Sequence, residues 1–361
     1  MKCIIYPFSE DFLPIMENLP KVRPDIEITR LVYPVSWNLQ DVPFSSSINI
    51  LLSNSYEESL DDAEVVIILS CAGRPYMYED ITAKIRCALK TGHRVIFCGE
   101  LREKDSTDLK EYISSGMLEC LADLELEEYA EDSRFFQRQD SIIIVTANLL
   151  DNMDDTSAQC RLFSEYNNAG YDVEAVSVNP DTRLLGFKFF PFHLLDEPLS
   201  PKKKILKLNS FFCGLSDSTG ADILLVHMPE GLMKYSDLCC ENFGVYAYMT
   251  AQALAADYFI LNTPAMDSYE PELFRELVST VRYRFGFPVD HVLVENVITD
   301  DFGSMEDEEV RFIRLNRQAM NEILADAVAK GITLLPLNEP DTFSAIARKS
   351  IELLSEQTEG V

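Results

Sequence analysis

Bases are scarce in this sequence: 31 lysines and arginines face 60 aspartates and glutamates, for a formal charge of −29. Nucleic acid and anionic membrane both call for a basic footprint, so neither is expected as a partner. An excess of acid serves solubility more often than binding. Long apolar runs are missing too. No stretch reaches the ~18 residues a membrane-spanning helix needs. The opening "MKCIIYPFSEDF" takes on acids too early for a secretory signal and reads as the first strand of a cytoplasmic protein. The nine cysteines never fall in a C-x-x-C spacing, and most sit inside apolar runs. Structural zinc and a disulfide framework are not expected; reduced core cysteines are. Only Cys239 and Cys240 are adjacent, a poor chelate by themselves. Nothing here points to a cofactor or a resident metal.

What is present is strand and helix in alternation. A length of 361 residues suits two domains. Strands are expected at "KCIIYP", "IEITRLVYP", "NILLS", "EVVIILSC" and "RVIFCGE", with a helix "YEDITAKIRCALKTG" closed by Gly92. The acidic, poorly periodic stretch "ECLADLELEEYAEDSRFFQRQD" marks a boundary near residues 125–140. A Rossmann-like domain is therefore expected over 1–135 and a second α/β domain over 136–361. The second restarts with "SIIIV" and continues through "DVEAVSVNP", "ADILLVHMPEG", "DYFILNTPA", "DHVLVENVI" and "ITLLPL", with helices between. One long helix is expected over about 305–330, starting at Ser304 and closing at Gly331. Repeated strand–helix units mean parallel sheets with helices on both faces.

One loop stands apart. Residues 145–158, "VTANLLDNMDDTSA", lie between the strand "SIIIV" and a helix over 156–169, where a nucleotide-binding protein keeps its phosphate loop. This loop has no glycine, no lysine and three aspartates. Ligands of open parallel sheets sit at the carboxyl ends of the strands, so five such loops are expected to ring one site. The candidates are Asn148, Asp151, Asp154, Asp155 and Thr156, with Asp181, His227, Glu230, Asn262 and Asn296 from the neighbouring loops. Two readings of the acids compete. Asp154 or Asp155 caps the following helix, or Asp151, Asp154, Asp155 and His227 gather around a divalent cation. Capping is the commoner use of such residues. The bland reading also leads for His227 as a satisfied strand-end histidine and for Glu230 as a turn residue. It leads again for Asn262 and Asn296 as loop-bonding amides, and for Lys202, Lys203 and Lys204 as a solvated helix start. No histidine lies near an obvious nucleophile elbow, so no catalytic residue is assigned.

Four stretches carry a resemblance: residues 145–158, "VSVNPD" at 176–181, "ADILLVHMPEG" at 221–231 and "ADYFILNTPAMDSYE" at 256–270. They are similar to the motif positions of the deviant phosphate-loop ATPases, the class of the partition and septum-site proteins, over about 140–300. The resemblance implies a phosphate-loop fold, and the departures deny it an ordinary triphosphate site. The class's glycine places hold Asn148, Leu150, Asp151 and Met153; its lysine place holds Asp154 and its metal-binding hydroxyl place Asp155, with Thr156 one place later. His227 stands where the class has the acid of its magnesium network. Exchanging lysine for aspartate ~4 Å from a phosphate shifts the interaction by roughly 8 kcal/mol at an effective dielectric near 20. ATPase or GTPase activity is not expected.

Over the full length, "MKCIIYPFSEDF", "AGYDVEAVS", "LLGFKFFPF", "KLNSFF", "MPEG" and "FGVYAYMTAQAL" are similar to a clostridial family of peptide maturation system proteins. That family accompanies radical-SAM maturases of cysteine-rich ribosomal peptides and a small acyl-carrier-related protein. The resemblance implies a pathway and assigns no catalytic residues. The expected function is a non-hydrolysing accessory or scaffold protein that binds a precursor peptide, the carrier-like protein or the maturase. The alternatives are a ligase-like or nucleotide-binding enzyme working in a cleft between the domains, and a structural homodimer. The phosphate-loop class commonly dimerises across its nucleotide face.

Overall fold

The computed structural model describes residues 1–37, 50–70, 75–124, 135–240 and 242–358. They form two compact units, Met1–Glu127 with Asn179–Phe189, and Glu128–Val178 with Phe190–Val361. Much of the boundary expected near 125–140 falls on residues 125–134, outside those described.

The first unit is built on strands β1 (Lys2–Tyr6), β2 (Glu27–Val32), β3 (Leu51–Ser53), β4 (Val65–Ile68), β5 (Arg94–Phe97) and β6 (Leu118–Cys120). Their order is β3-β2-β1-β4-β5-β6, every pair parallel. This is the Rossmann order, which reverses at β1. All four residues of β4 are buried, as a parallel strand covered on both faces requires. The helix Tyr78–Lys90 turns Ile81, Ile85, Ala88 and Leu89 to the core at helical spacing. It is followed by Gly92 at φ +87°, a left-handed conformation that only glycine adopts cheaply. The sequence pattern gives no sign that Asn179–Phe189 belongs to this unit. Within that segment the turn Pro180–Leu185 puts the Asp181 carboxylate on the Ser70 N–H just beyond β4, at 2.7 Å. The Arg183 Nη1 donates to the Cys98 carbonyl just beyond β5, at 3.3 Å. Leu184, Leu185 and Phe187 are buried there.

The second unit carries β7 (Ile142–Asn148), β8 (Val173–Ser177), β10 (Ile223–His227), β11 (Tyr258–Pro264), β12 (His291–Glu295) and β15 (Leu335–Pro336), while β9 (Lys188–Phe189) falls in the later segment of the first unit. Within the second unit these strands are ordered β15-β12-β11-β7-β10-β8. The chain leaves β7 toward β8 and β10 on one side, then crosses to β11 and β12 on the other. The loop after β7 therefore sits at the reversal, where ligands of such sheets bind. The strands β7, β10, β11 and β12 pair in parallel, and every residue of β10 and β11 is buried.

The single long helix expected over about 305–330 is two helices, Asp301–Asp307 and Arg317–Ala329. Between them β14 (Phe312–Arg314) pairs antiparallel with β13 (Val297–Thr299). Asp300, not Ser304, caps the first helix through the Gly303 N–H at 3.1 Å, and Asn316 caps the second through Ala319 N–H at 2.9 Å. Among the described residues no cysteine forms a disulfide, and no helix is long and apolar enough to cross a membrane. Cys71 lies outside them.

Candidate functional site

Four adjacent parallel strands, β10, β7, β11 and β12, bring the end of β7 and its neighbours together. The register sets Thr146 beside His227, Asn148 beside Asn262 and Pro264 beside Glu295. The loop after β7 then folds inward. Leu149, Leu150 and Met153 enter the hydrophobic core with Val226, Met228 and Leu232. The carbonyls of Asn148 and Leu149 accept from the Leu232 and Met233 N–H groups at 3.0 and 3.1 Å. The Asp151 carboxylate accepts from the Gly231 N–H at 3.2 Å, and burial pushes its pKa up. Gly231 is required by proximity: a Cβ there would collide with the backbone of Leu150 and Asp151. Asn152, at φ +59°, donates from Nδ2 to the Val310 carbonyl at 3.1 Å.

The remaining acids serve the helix Ser157–Asn168. Asp154 Oδ1 accepts from the N–H groups of Thr156 and Ser157, each at 2.8 Å, and Oδ2 accepts from the Ser157 hydroxyl. These are the orphan donors of a helix start, filled by a side chain. Thr156 is buried and its hydroxyl donates to Asp155 Oδ1 at 2.8 Å. The capping reading thus describes what Asp154 does. Among the described residues no three His, Cys, Asp or Glu side chains gather as a metal cluster would.

His227 is buried against the Thr146 hydroxyl, Nδ1 to Oγ1 2.9 Å, and burial lowers its pKa to about 4, so the ring is neutral. Glu230 adopts φ +62° in its turn and accepts from the Asn242 amide. Asn262 donates from Nδ2 to Asn148 Oδ1 at 3.1 Å and more weakly to the Asp154 carbonyl at 3.5 Å. Two of the candidates lie elsewhere. Asp181 belongs to the first unit, where its carboxylate accepts from the Ser70 N–H and desolvation raises its pKa. Asn296 lies between β12 and β13, where its Oδ1 accepts from Asn338 Nδ2 at 2.8 Å.

The residue that sequence reasoning passed over is its neighbour, Glu295. Its Oε2 accepts from the Asp154 N–H at 3.2 Å, and the Asn262 side chain bonds its carboxyl as well. Burial, and then the negative charge of Asp154, push its pKa up to about 7. Asn262 Oδ1 is buried with no donor, and a protonated Glu295 carboxyl would bring one into the same group. The signal in the sequence was an acid closing the apolar run "HVLVE". Chemically the cluster holds one proton-exchanging carboxyl among amides. Arg314 is the cation near enough to act on it, pulling the Glu295 pKa back down against that burial.

No protein-family model and no curated protein sequence matches this chain. Among solved structures, a DUF1611 family protein from Anabaena variabilis is similar over 97% of this chain and 99% of its own, with TM-score 0.57 and 11% identity. At that identity the likeness shows the fold alone, here across both units. An apo GTPase from Pyrococcus abyssi matches 58% of this chain and 96% of its own, with TM-score 0.31 and 12% identity. The signal recognition particle 54 kDa protein from Aeropyrum pernix, solved with GDP, matches 83% of this chain and 64% of its own, with TM-score 0.32 and 14% identity. Those two scores are too low to carry an argument.

Proposed function

We propose that this chain is a non-hydrolysing accessory protein acting in the maturation of a ribosomal peptide, where it holds a precursor peptide, a carrier-like protein or the maturase. One observation carries the non-hydrolysing part: the loop at the phosphate position spends its own groups on itself. Its carbonyls bond Leu232 and Met233, Asp151 holds Gly231, Asp154 caps the next helix, and its apolar side chains are core. A triphosphate would have to displace all of these and sit beside two acids without a lysine. The pathway rests on the full-length sequence resemblance.

Calorimetry with magnesium ATP and magnesium GTP tests the first part, and no micromolar binding is expected. Tight binding that Asp154→Asn abolishes would end the proposal. Gel filtration of the chain with precursor peptide, carrier-like protein and maturase, each in turn, tests the second part, and co-elution with one of them is expected.

A second reading has its own observation. A half-buried carboxyl with a pKa near 7 at the carboxyl edge of a parallel sheet is a group that enzymes use for proton transfer. Under that reading Glu295 serves a small-molecule enzyme. Saturation of the wild type, but not of Glu295→Gln, by a panel of small carboxylates and amides in a thermal-shift assay would favour it.

A further inference from the structure

One acceptor at the carboxyl edge of the second sheet has no donor. Asn262 is 3% exposed; its Nδ2 donates to Asn148 Oδ1, while its Oδ1 receives no hydrogen bond. A buried acceptor left unanswered is costly, so the place calls for a donor. The Glu295 carboxyl stands on the same face. Asn262 pairs with Leu293 and Pro264 with Glu295, and side chains two residues apart along a strand point the same way. Glu295 is half-buried, so this edge is open to solvent at its carboxyl.

The state of Glu295 decides what Asn262 Oδ1 can receive. A protonated carboxyl has a hydrogen to donate. An ionised one only accepts, and two acceptors then stand together without a donor. The charges acting on Glu295 are Asp154, from the loop after β7, and Arg314, at the end of β14. Burial and Asp154 outweigh Arg314, because the carboxyl still titrates near 7. The loop's other carboxylates are engaged, Asp151 on the Gly231 N–H and Asp154 on the start of the helix Ser157–Asn168. What suits such an edge is a positive charge that brings its own hydrogens. A primary ammonium has three donors and no acceptor, enough for the carboxylate and the amide oxygen at once.

We infer that this edge binds the primary ammonium group of a small amine, held by the Glu295 carboxylate and Asn262 Oδ1. The inference rests on the small-molecule reading of Glu295 and deepens it, by naming the class of the ligand. Proton and ammonium compete for one place. With the carboxyl titrating near 7, roughly a tenth of the molecules carry the carboxylate at pH 6 and roughly nine-tenths at pH 8. A primary alkylamine stays charged across that range, as lysine does. Affinity for the amine therefore rises with pH.

Calorimetry tests this with n-propylammonium chloride and tetramethylammonium chloride at equal ionic strength. Both ions carry one positive charge, and the second has no N–H. At pH 8 the wild type should bind n-propylammonium at least tenfold more tightly than tetramethylammonium. At pH 6 its affinity for n-propylammonium should be about ninefold lower. Glu295→Gln should bind n-propylammonium at least tenfold more weakly than wild type at pH 8, with no difference between the two pH values. The comparisons of ion and of pH use the wild type alone and hold whether or not the variant folds. Equal affinity for the two ions, equal affinity at the two pH values, or undiminished binding by a folded Glu295→Gln would overturn the inference. If n-propylammonium fails to bind while a carboxylate or an amide saturates the wild type and not Glu295→Gln, the ammonium falls and the small-molecule reading stands. If none of these compounds binds, both fall.

Discussion

Replacing Glu295 by glutamine should stabilise the protein above neutral pH and leave it unchanged in mild acid. In the folded chain the carboxyl titrates near 7, against an ordinary value of 4.5. The folded state therefore holds this proton more tightly than the unfolded state. The contribution is fully present below about 4.5 and is lost as pH rises through 7. A gap of that size corresponds to about 3 kcal/mol at ~1.4 kcal/mol per unit. Glutamine does not titrate, and its oxygen can still accept from the Asp154 N–H. Other groups move in the same range: His227 and His291, both lowered to about 4 by burial, lose stability as pH falls. They are common to both proteins and cancel in the difference. Urea melts of wild type and Glu295→Gln at pH 5 and pH 8 measure it. The variant should gain on the order of 3 kcal/mol over wild type at pH 8 and little at pH 5. A gain of the same size at both pH values, or a loss at pH 8, would refute the burial argument.

Three further outcomes follow from the loop. Asp154→Ala should cost about 0.5–2 kcal/mol, because it strips the cap from the helix Ser157–Asn168; denaturant melts with and without EDTA should agree, and a metal-dependent difference would count against the capping role. Gly231→Ala should cost about 1–3 kcal/mol by driving a methyl group into the Leu150–Asp151 backbone, and an unshifted melt would show that the turn can move. Thr146→Val should leave His227 Nδ1 without its partner at a cost of about 1–3 kcal/mol, read by the same melts.

The strands were legible because buried parallel strands must be continuously apolar, and "VVII" and "ILLV" can be little else. The loop's role was legible in part, since an acid just ahead of a helix has an orphan N–H to accept from. Glu295 was not, because its neighbours Asp154 and Asn262 come from the loop after β7 and from β11, and pairing register is not written in any one strand. The helix over 305–330 failed for a different reason. Val310, Ile313 and Met320 keep a helical period by coincidence, yet Val310 is core while Ile313 is exposed on β14. Asn316, a good cap, was the sign of a second start. Asn179 and Pro180 read as the end of a strand in the second unit; the bonds of Asp181 to Ser70 and of Arg183 to Cys98 go with the first.

That assignment bears on how the chain can be made. A ribosome releases Met1–Glu127 well before Asn179–Phe189, yet Leu184, Leu185 and Phe187 are interior residues of the same unit and Asp181 bonds within it. Until they emerge, the ends of β4 and β5 keep an unanswered Ser70 N–H and an apolar hollow. The early unit must wait for the strand β8, and so for half of the chain, before it closes. A single proteolytic cut near residue 130 would therefore not yield two complete folding units. A fragment ending there would need Asn179–Phe189 supplied in trans as a separate peptide, and its affinity for that peptide would measure how much of the first unit's stability is borrowed from later in the sequence.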